Sequence, residues 1–143
     1  MPKKYCLLWL FFIFSPVIAA DKIIPAPNKV TAYILEQIND YRSSLGLGMV
    51  SPSQETCAFA AIRAKEISAN FSHQGFEQRK KMQTLPYTRW HVITENIAMT
   101  SDYTQVEKMW EHSSGHARNM RADTPYVCVM QYKDYFAYVG LKP

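Results

Sequence analysis

The sequence predicts an α+β domain in which helices cover a small antiparallel sheet. Helical patterns fill the first half of the chain, a further helix follows a strand near residue 95, and two β-rich segments close the chain as a hairpin. Helices and antiparallel strands that are separated along the chain are typical of this fold class. A length of 143 residues suits one domain, and no internal repeat is present.

The first 20 residues are predicted to be a secretory signal peptide. Lys3 and Lys4 precede an apolar run from Leu7 to Phe14, and small residues end the segment at Ala20. The apolar run is too short to span a bilayer, which takes roughly 20 residues. A retained anchor is the alternative. We expect a secreted or periplasmic protein with no stable membrane anchor after cleavage of the signal.

The charge balance gives little reason to expect a nucleic-acid partner. Removal of the signal lowers the formal net charge from +4 to about +2. The basic cluster at Arg79 to Lys81 is explained as well by a solvated loop as by a partner. We therefore expect no nucleic acid among the partners.

Residues 21–29 are predicted to form an N-terminal arm, and residues 30–143 the folded domain. The arm contains two prolines and no apolar repeat. A helical pattern then begins and stops before Gly46 and Gly48. Its apolar stripe consists of Val30, Ile34, Ile38 and Tyr41.

A second helix is predicted to reach about Ala69. Ser51 suits its N-cap, Pro52 its first position and Gln54 the reciprocal site of a capping box. Small apolar residues share one face, which indicates close packing against another element. These residues are Cys57, Ala60, Ala61, Ala64 and Ile67.

The second half of the chain is predicted to hold the strands. Residues 71–91 show no period, and a strand over Trp90 to Ile93 leads into Glu95 and Asn96. A third helix is predicted from Asp102 or Tyr103 to Ser113, and a short helical turn around Ala117 to Met120 is predicted to follow a bend at Gly115. The hairpin follows, with strands over residues 126–131 and 135–139.

Two cysteines, Cys57 and Cys128, remain after removal of the signal. Export to an oxidising compartment favours a disulfide between them. Closure of a loop of about 70 residues would stabilise the fold by roughly 4 kcal/mol. Two buried free thiols are the alternative.

Three polar fragments are candidates for a functional site. We predict that His73, Glu95 and His116 converge in one cleft. An acid at a strand end beside a histidine suits proton handling or the orientation of a metal ligand. The alternative for the Glu95-Asn96 pair is a structural turn in which Asn96 ties down a loop, and the two are compatible. His112 and His116 have the four-residue spacing of a metal pair, but Gly115 makes an unbroken helix between them doubtful.

These fragments, taken in order, resemble the CAP superfamily (cysteine-rich secretory proteins, antigen 5 and pathogenesis-related 1), and within it the small exported bacterial-type branch. They are Phe71-Ser72-His73, Glu95-Asn96-Ile97-Ala98, Trp110 to Ser113, Gly115-His116 and Asn119-Met120. The stretch from Ile38 to Arg42, followed by Gly46, is similar to the first helix of that family. The resemblance covers about residues 30–143 and rests on the order and spacing of the fragments.

The resemblance implies an α-β-α sandwich with a large central cleft that two histidines and one or two acids face. His73 and His116 match the histidines, which hold a divalent metal in some members, and Glu95 matches the first acid. The position of the second acid is occupied by Ser113, so the set of metal ligands is incomplete. We therefore expect no required cofactor, with Zn²⁺ on His73 and His116 as the candidate metal.

Two functions are consistent with this cleft, because a fold does not fix the chemistry. The first is a binding module for a small apolar ligand or a partner protein segment, with His73, Glu95, Asn96, Ser113 and His116 at the site. The second is a zinc-dependent hydrolase or protease in which Glu95 is the general base. We favour the binding module, and the question of enzymatic activity stays open.

Overall fold

The computed structural model describes residues 28–143, so the predicted signal peptide and nearly all of the predicted N-terminal arm lie outside the described residues. Five helices and three strands follow one another along this part of the chain. The helices are α1 (Lys29–Ser44), α2 (Gln54–Ala69), α3 (Gln74–Met82), α4 (Val106–Glu111) and α5 (Ser114–Arg121). The strands are β1 (Val92–Met99), β2 (Tyr126–Tyr132) and β3 (Tyr135–Lys142).

The three strands form one antiparallel sheet in the order β1-β3-β2. The predicted hairpin is confirmed, because Tyr132 pairs with Tyr135 across a turn in which Lys133 has a positive φ. Val92 pairs with Lys142 and Met99 with Tyr135, so β1 runs the whole length of β3. The central strand β3 is therefore paired on both sides, and β1 and β2 are edge strands.

Helices cover both faces of the sheet, which confirms the predicted α-β-α sandwich. The apolar stripe of α1 packs with Trp110 of α4 on one face, against Val127, Phe136 and Tyr138. The small-residue face of α2 packs on the other, against Met130 and Val139. The predicted disulfide joins α2 to β2 through Cys57 and Cys128, across the second of these layers.

Side chains cover part of the outer edge of each edge strand. The Thr31 hydroxyl donates to the Val129 carbonyl on the free side of β2, at 2.7 Å. Trp110 Nε1 donates to the Ile97 carbonyl on the free side of β1, at 3.0 Å. Such capping satisfies carbonyls that would otherwise invite pairing with another chain.

The predicted start of the second helix is wrong by two residues. Ser53, not Ser51, is the N-cap, and Thr56 closes the capping box with it. Ser51 instead pairs with the end of the sheet, where its carbonyl accepts a hydrogen bond from the Val127 N–H at 2.9 Å. Because the backbone of Ser51 is paired with β2, Ser51 is not the N-cap, and the helix starts after it.

The structure also corrects the region between residues 71 and 91, which contains α3. The sequence gives this helix no apolar stripe, because Phe76 is its only buried residue. Gln83 ends the helix in the left-handed conformation, with a φ of 55°. Its polar composition is what concealed it from a search for apolar repeats.

The predicted third helix ends at Glu111, two residues earlier than expected, and the short helical turn predicted after it is part of α5. Asp102 caps a short 3₁₀ turn at Tyr103–Gln105, which leads into α4. The break falls at His112 and Ser113, and Gly115 lies inside the first turn of α5 rather than at the bend. Because of this break, His116 lies in the first turn of α5.

Candidate functional site

A cleft of about 370 Å³ lies between the beginning of α3 and α5. One wall comes from α3 and the residue before it, with His73, Phe76, Glu77 and Lys80. The opposite wall comes from α5 and the residue before it, with Ser113, Gly115, His116, Arg118 and Asn119. The floor is the first part of β1, with Ile93, Thr94 and Glu95.

Glu95 is the most buried charged group of the cleft, with a side chain only 1% exposed. Arg63 of α2 donates from Nε to its Oε1 at 2.5 Å, and His73 Nδ1 lies 2.8 Å from its Oε2. A buried carboxylate requires such partners, because an unpaired charge would be strongly destabilising. Each carboxylate oxygen of Glu95 therefore has a partner, Arg63 on the side of α2 and His73 on the side of the cleft.

Arg63 organises the back of the site. Its side chain is 2% exposed, and its Nη2 donates to the Ser72 carbonyl at 3.1 Å, which fixes the chain just before His73. Its Nη1 pairs with Glu66, which also pairs with Arg79. Burial alone would raise the pKa of Glu66, but Arg79 and Arg63 outweigh burial and lower it. This charged network positions the first turn of α3.

Gly75 is required where α3 crosses Arg63. A methyl group added to Gly75 would collide with the Arg63 guanidinium. The absence of a side chain therefore lets the helix approach the buried arginine closely. This approach brings His73 within reach of Glu95.

Asn96 points to the opposite face of the sheet and holds α5 in place. Its Nδ2 donates to the His116 carbonyl at 3.0 Å. Asn119 donates from Nδ2 to the Glu95 carbonyl and to Asn96 Oδ1, both at 2.9 Å. Tyr138 then donates to the Asn119 carbonyl at 3.2 Å. The beginning of α5 is thereby tied to two adjacent residues of β1.

His73 and His116 face one another across the cleft, with ring centroids 5.8 Å apart and planes at 50°. Burial lowers the pKa of His116, and the nearby His73 lowers it further, against an opposing effect of Glu95. His116 therefore favours the neutral form at neutral pH, in which one ring nitrogen donates and the other accepts a hydrogen bond.

The donor set does not fit a stable metal site. Across residues 28–143, no three His, Cys, Asp or Glu side chains come close enough together to hold a metal ion. Glu95 is poorly placed to bind a metal ion in the cleft, because it already pairs with Arg63 and His73 and its side chain is only 1% exposed. Two histidines alone fall short of the three protein ligands of a typical catalytic zinc site.

The structure brings together His73, Glu95, His116 and Ser113 in one cleft. Asn96 lies behind it, where it anchors His116 rather than lining the cavity. His112 is exposed and its Nδ1 lies 2.7 Å from the Lys108 carbonyl, so it has no part in the site. Within the described chain, Ser113 forms no hydrogen bond with His116, so no nucleophile and base are paired there.

Arg63 and Asn119 are two of the site residues that were not predicted from the sequence. Arg63 was detectable in principle, since it is a charge within the apolar face formed by Ala60, Ala64 and Ile67. Asn119 belongs to the fragments that resemble the CAP superfamily, but its role depends on where α5 meets β1. No local pattern reveals such a long-range contact.

The fold and the cleft together define an α-β-α sandwich domain with two opposed histidines and one buried glutamate. The chain belongs to the cysteine-rich secretory protein (CAP) family, whose model matches residues 35–127. The resemblance drawn from the sequence is thereby confirmed. No curated protein matches the sequence significantly.

Solved structures that share the fold include three bacterial proteins. An extracellular protein containing an SCP domain from Bacillus anthracis has a TM-score of 0.69 at 22% identity, over 90% of this chain and 45% of that one. A cysteine-rich secretory protein from Staphylococcus aureus has a TM-score of 0.65 at 14% identity, over 80% of this chain and 38% of that one. An outer surface protein from Borrelia burgdorferi has a TM-score of 0.71 at 16% identity, over 82% of this chain and 96% of that one. The present chain thus spans less than half the length of the first two.

The described structure also bears on localisation. From residue 28 to residue 143, no helix is both long enough and apolar enough to cross a bilayer. The three similar structures are named as extracellular, secretory or outer surface proteins. At identities this low, the likeness extends to the fold and no further.

Proposed function

We propose that this chain is an exported binding module of the CAP family, and that the cleft between α3 and α5 is its binding site. The observation that carries the proposal is the state of Glu95, whose two oxygens are held by Arg63 and His73. A carboxylate fixed in this way shapes a polar surface and orients a histidine. A general base, in contrast, needs contact with the water that it deprotonates, and the Glu95 side chain is only 1% exposed.

The lining of the cleft favours a partner segment over a small apolar ligand. Phe76 and Ile93 supply its apolar side chains, and the remaining side chains are polar or charged. Sites for small apolar molecules are mostly lined by apolar and aromatic groups. A polypeptide segment, with a polar backbone and mixed side chains, matches this lining better.

The alternative of a zinc hydrolase has a direct test by calorimetry at pH 7.5. Because the donor set is incomplete, Zn²⁺ should show no saturable one-to-one binding to the mature protein in the micromolar range. Tight binding that the His73→Ala/His116→Ala double variant lacks would overturn this assignment and justify a search for hydrolase substrates.

The proposal is tested by filling the cleft. Gly115 lines it, and a Cβ added there would meet nothing closer than Arg118 Nη2 at 4.0 Å, so Gly115→Trp should fold and occupy the cavity. Gly48→Trp is the matched control, because nothing lies within 4 Å of a Cβ at this exposed loop position. Ligand-observed NMR with a panel of small-molecule fragments and short peptides supplies the readout.

We expect ligands from this panel to bind the wild type and Gly48→Trp but to lose at least tenfold in affinity for Gly115→Trp. Ligands that bind all three proteins equally, or a panel without any ligand, would contradict the proposed site. Export has its own test, since protein recovered outside the cytoplasm should begin at Asp21 by N-terminal sequencing.

A further inference from the structure

The floor of the cleft is the unpaired edge of a β-strand. In an antiparallel ladder, the N–H and C=O of one residue point to the same side, and successive residues alternate. The Thr100 N–H donates to the Asp134 carbonyl, so even-numbered residues of β1 face β3. Odd-numbered residues face away from the sheet. The bonds to the carbonyls of Glu95 and Ile97 from α5 and α4 agree with this assignment.

Only part of this edge is covered. Asn119 and Trp110 take the outward carbonyls of Glu95 and Ile97. Within residues 28–143, no side chain and no backbone group outside the sheet forms a hydrogen bond with the Ile93 N–H, the Ile93 carbonyl or the Glu95 N–H. Both residues are nevertheless buried, at 5% and 3% exposed. Backbone groups in this position need a partner, because a buried unpaired amide or carbonyl is destabilising.

The three unpartnered groups lie where the cleft is lined by β1. Along the strand they form a donor, an acceptor and a donor: the Ile93 N–H, the Ile93 carbonyl and the Glu95 N–H. This is the order in which an edge strand pairs with an added strand. The walls from α3 and α5 flank this edge. The facing rings of His73 and His116 mark the Glu95 end of the uncovered segment.

We propose that the cleft binds an extended peptide segment, which adds to β1 by backbone hydrogen bonds to Ile93 and Glu95. This inference rests on the proposed function and names the chemical class of its ligand. Addition of a strand to a free edge is a general mode of peptide recognition, in which the backbone provides affinity and side-chain pockets provide selectivity.

The charges at the rim indicate an acidic segment. Lys80 and Arg118 stand on opposite walls, and neither forms an ion pair in the described part of the chain. Glu77 is the other ionisable wall residue besides the histidines, and Glu95 is already neutralised by Arg63. With two free cations against one free acid, an acidic side chain of the peptide is favoured between the walls.

The experiment begins with a display library of random linear peptides, selected on the mature protein with its disulfide intact. Enriched peptides are synthesised and titrated into ¹⁵N-labelled protein. We expect them to contain Asp or Glu and to shift the amide signals of Ile93 and Glu95 more than those of Thr94 and Asn96. A peptide with a single N-methylated amide at the pairing position should lose at least tenfold in affinity, because it cannot complete the ladder.

Charge reversal on one helix provides the control. Lys80→Glu should weaken the acidic peptides about three- to tenfold, as expected for a partly exposed ion pair replaced by repulsion. Lys81→Glu carries the same change at the next residue, which is exposed and outside the cleft, and should leave affinity unchanged. Equal weakening by both variants would contradict a role for Lys80.

The outcomes separate this inference from the proposed function. Peptides that bind without shifting Ile93 and Glu95, or that tolerate every N-methyl group, would overturn strand addition. No enrichment of any peptide would also overturn it, whereas small-molecule fragments displaced by Gly115→Trp would still support the cleft as a binding site. Loss of both kinds of ligand would overturn the two proposals together.

Discussion

Replacement of Arg63 by methionine tests the physical basis of the site. Arg63 and Glu95 form a buried ion pair, with side chains 2% and 1% exposed. Arg63→Met keeps most of the apolar stem but leaves Glu95 with His73 as its only side-chain partner. Removal of one member of a buried pair typically costs about 3–5 kcal/mol, because the other charge stays buried without compensation.

This loss is large against the stability of roughly 5–15 kcal/mol that is usual for a domain. It corresponds to a fall in melting temperature of about 10–20 °C for a domain of this size. We expect the effect in thermal and urea denaturation followed by circular dichroism, with the disulfide intact. Since Arg63 also donates to the Ser72 carbonyl, α3 should loosen before the rest of the fold.

Arg79→Met is the matched control. Arg79 pairs with Glu66 near the surface, with side chains 30% and 33% exposed, and Glu66 retains Arg63 when Arg79 is lost. Its replacement should therefore cost less than about 1 kcal/mol. The double variant Arg63→Met/Glu95→Gln removes the buried charge as well and should recover at least half of the loss. A cost for Arg63→Met no larger than that for Arg79→Met would refute the reasoning.

Three further predictions concern stability. Burial lowers the pKa of His116 below its ordinary 6.5, so the unfolded chain takes up a proton more readily than the folded chain. The free energy of unfolding should therefore fall as the pH drops below about 6.5. His116→Gln should reduce that fall, as measured by urea titrations at pH 7.5 and 5.5. Cys57→Ser/Cys128→Ser, which opens a cross-link between residues 71 apart, should lower the free energy of unfolding by about 4 kcal/mol, and an unchanged urea midpoint would contradict this. Gly140→Ala should cost about 1–3 kcal/mol, since its Cβ would lie 2.6 Å from Thr94 Oγ1, and a cost below 0.5 kcal/mol would show that the neighbours yield freely.

Much of the fold could be predicted because its elements carry local signals. The stripe from Val30 to Tyr41 and the small-residue face of α2 identified two helices, and β-branched and aromatic residues identified the hairpin. The start of α2 was misplaced because Ser51 and Ser53 are both good caps. The pairing of Ser51 with β2, which decides between them, is a long-range contact.

The site was predictable to the extent that its residues were distinctive in type. His73, Glu95 and His116 could be grouped, but their geometry depends on contacts between residues that lie far apart in the sequence. Arg63 reaches Glu95 from 32 positions earlier in the chain, and Asn119 reaches Glu95 from 24 positions later. The strand over Glu95 and Asn96 was expected to end before them, since two polar residues in a buried strand are unfavourable without such partners.

Strand addition requires a free edge on β1, and amide hydrogen exchange of the mature ¹⁵N-labelled protein measures that edge directly. Thr94 and Asn96 face β3 in the ladder, whereas the N–H groups of Ile93 and Glu95 face the cleft. We predict that Ile93 and Glu95 exchange at least ~100-fold faster than Thr94 and Asn96 in the absence of ligand. Equal protection of all four amides would show that the edge is already occupied and would contradict the proposed mode of binding.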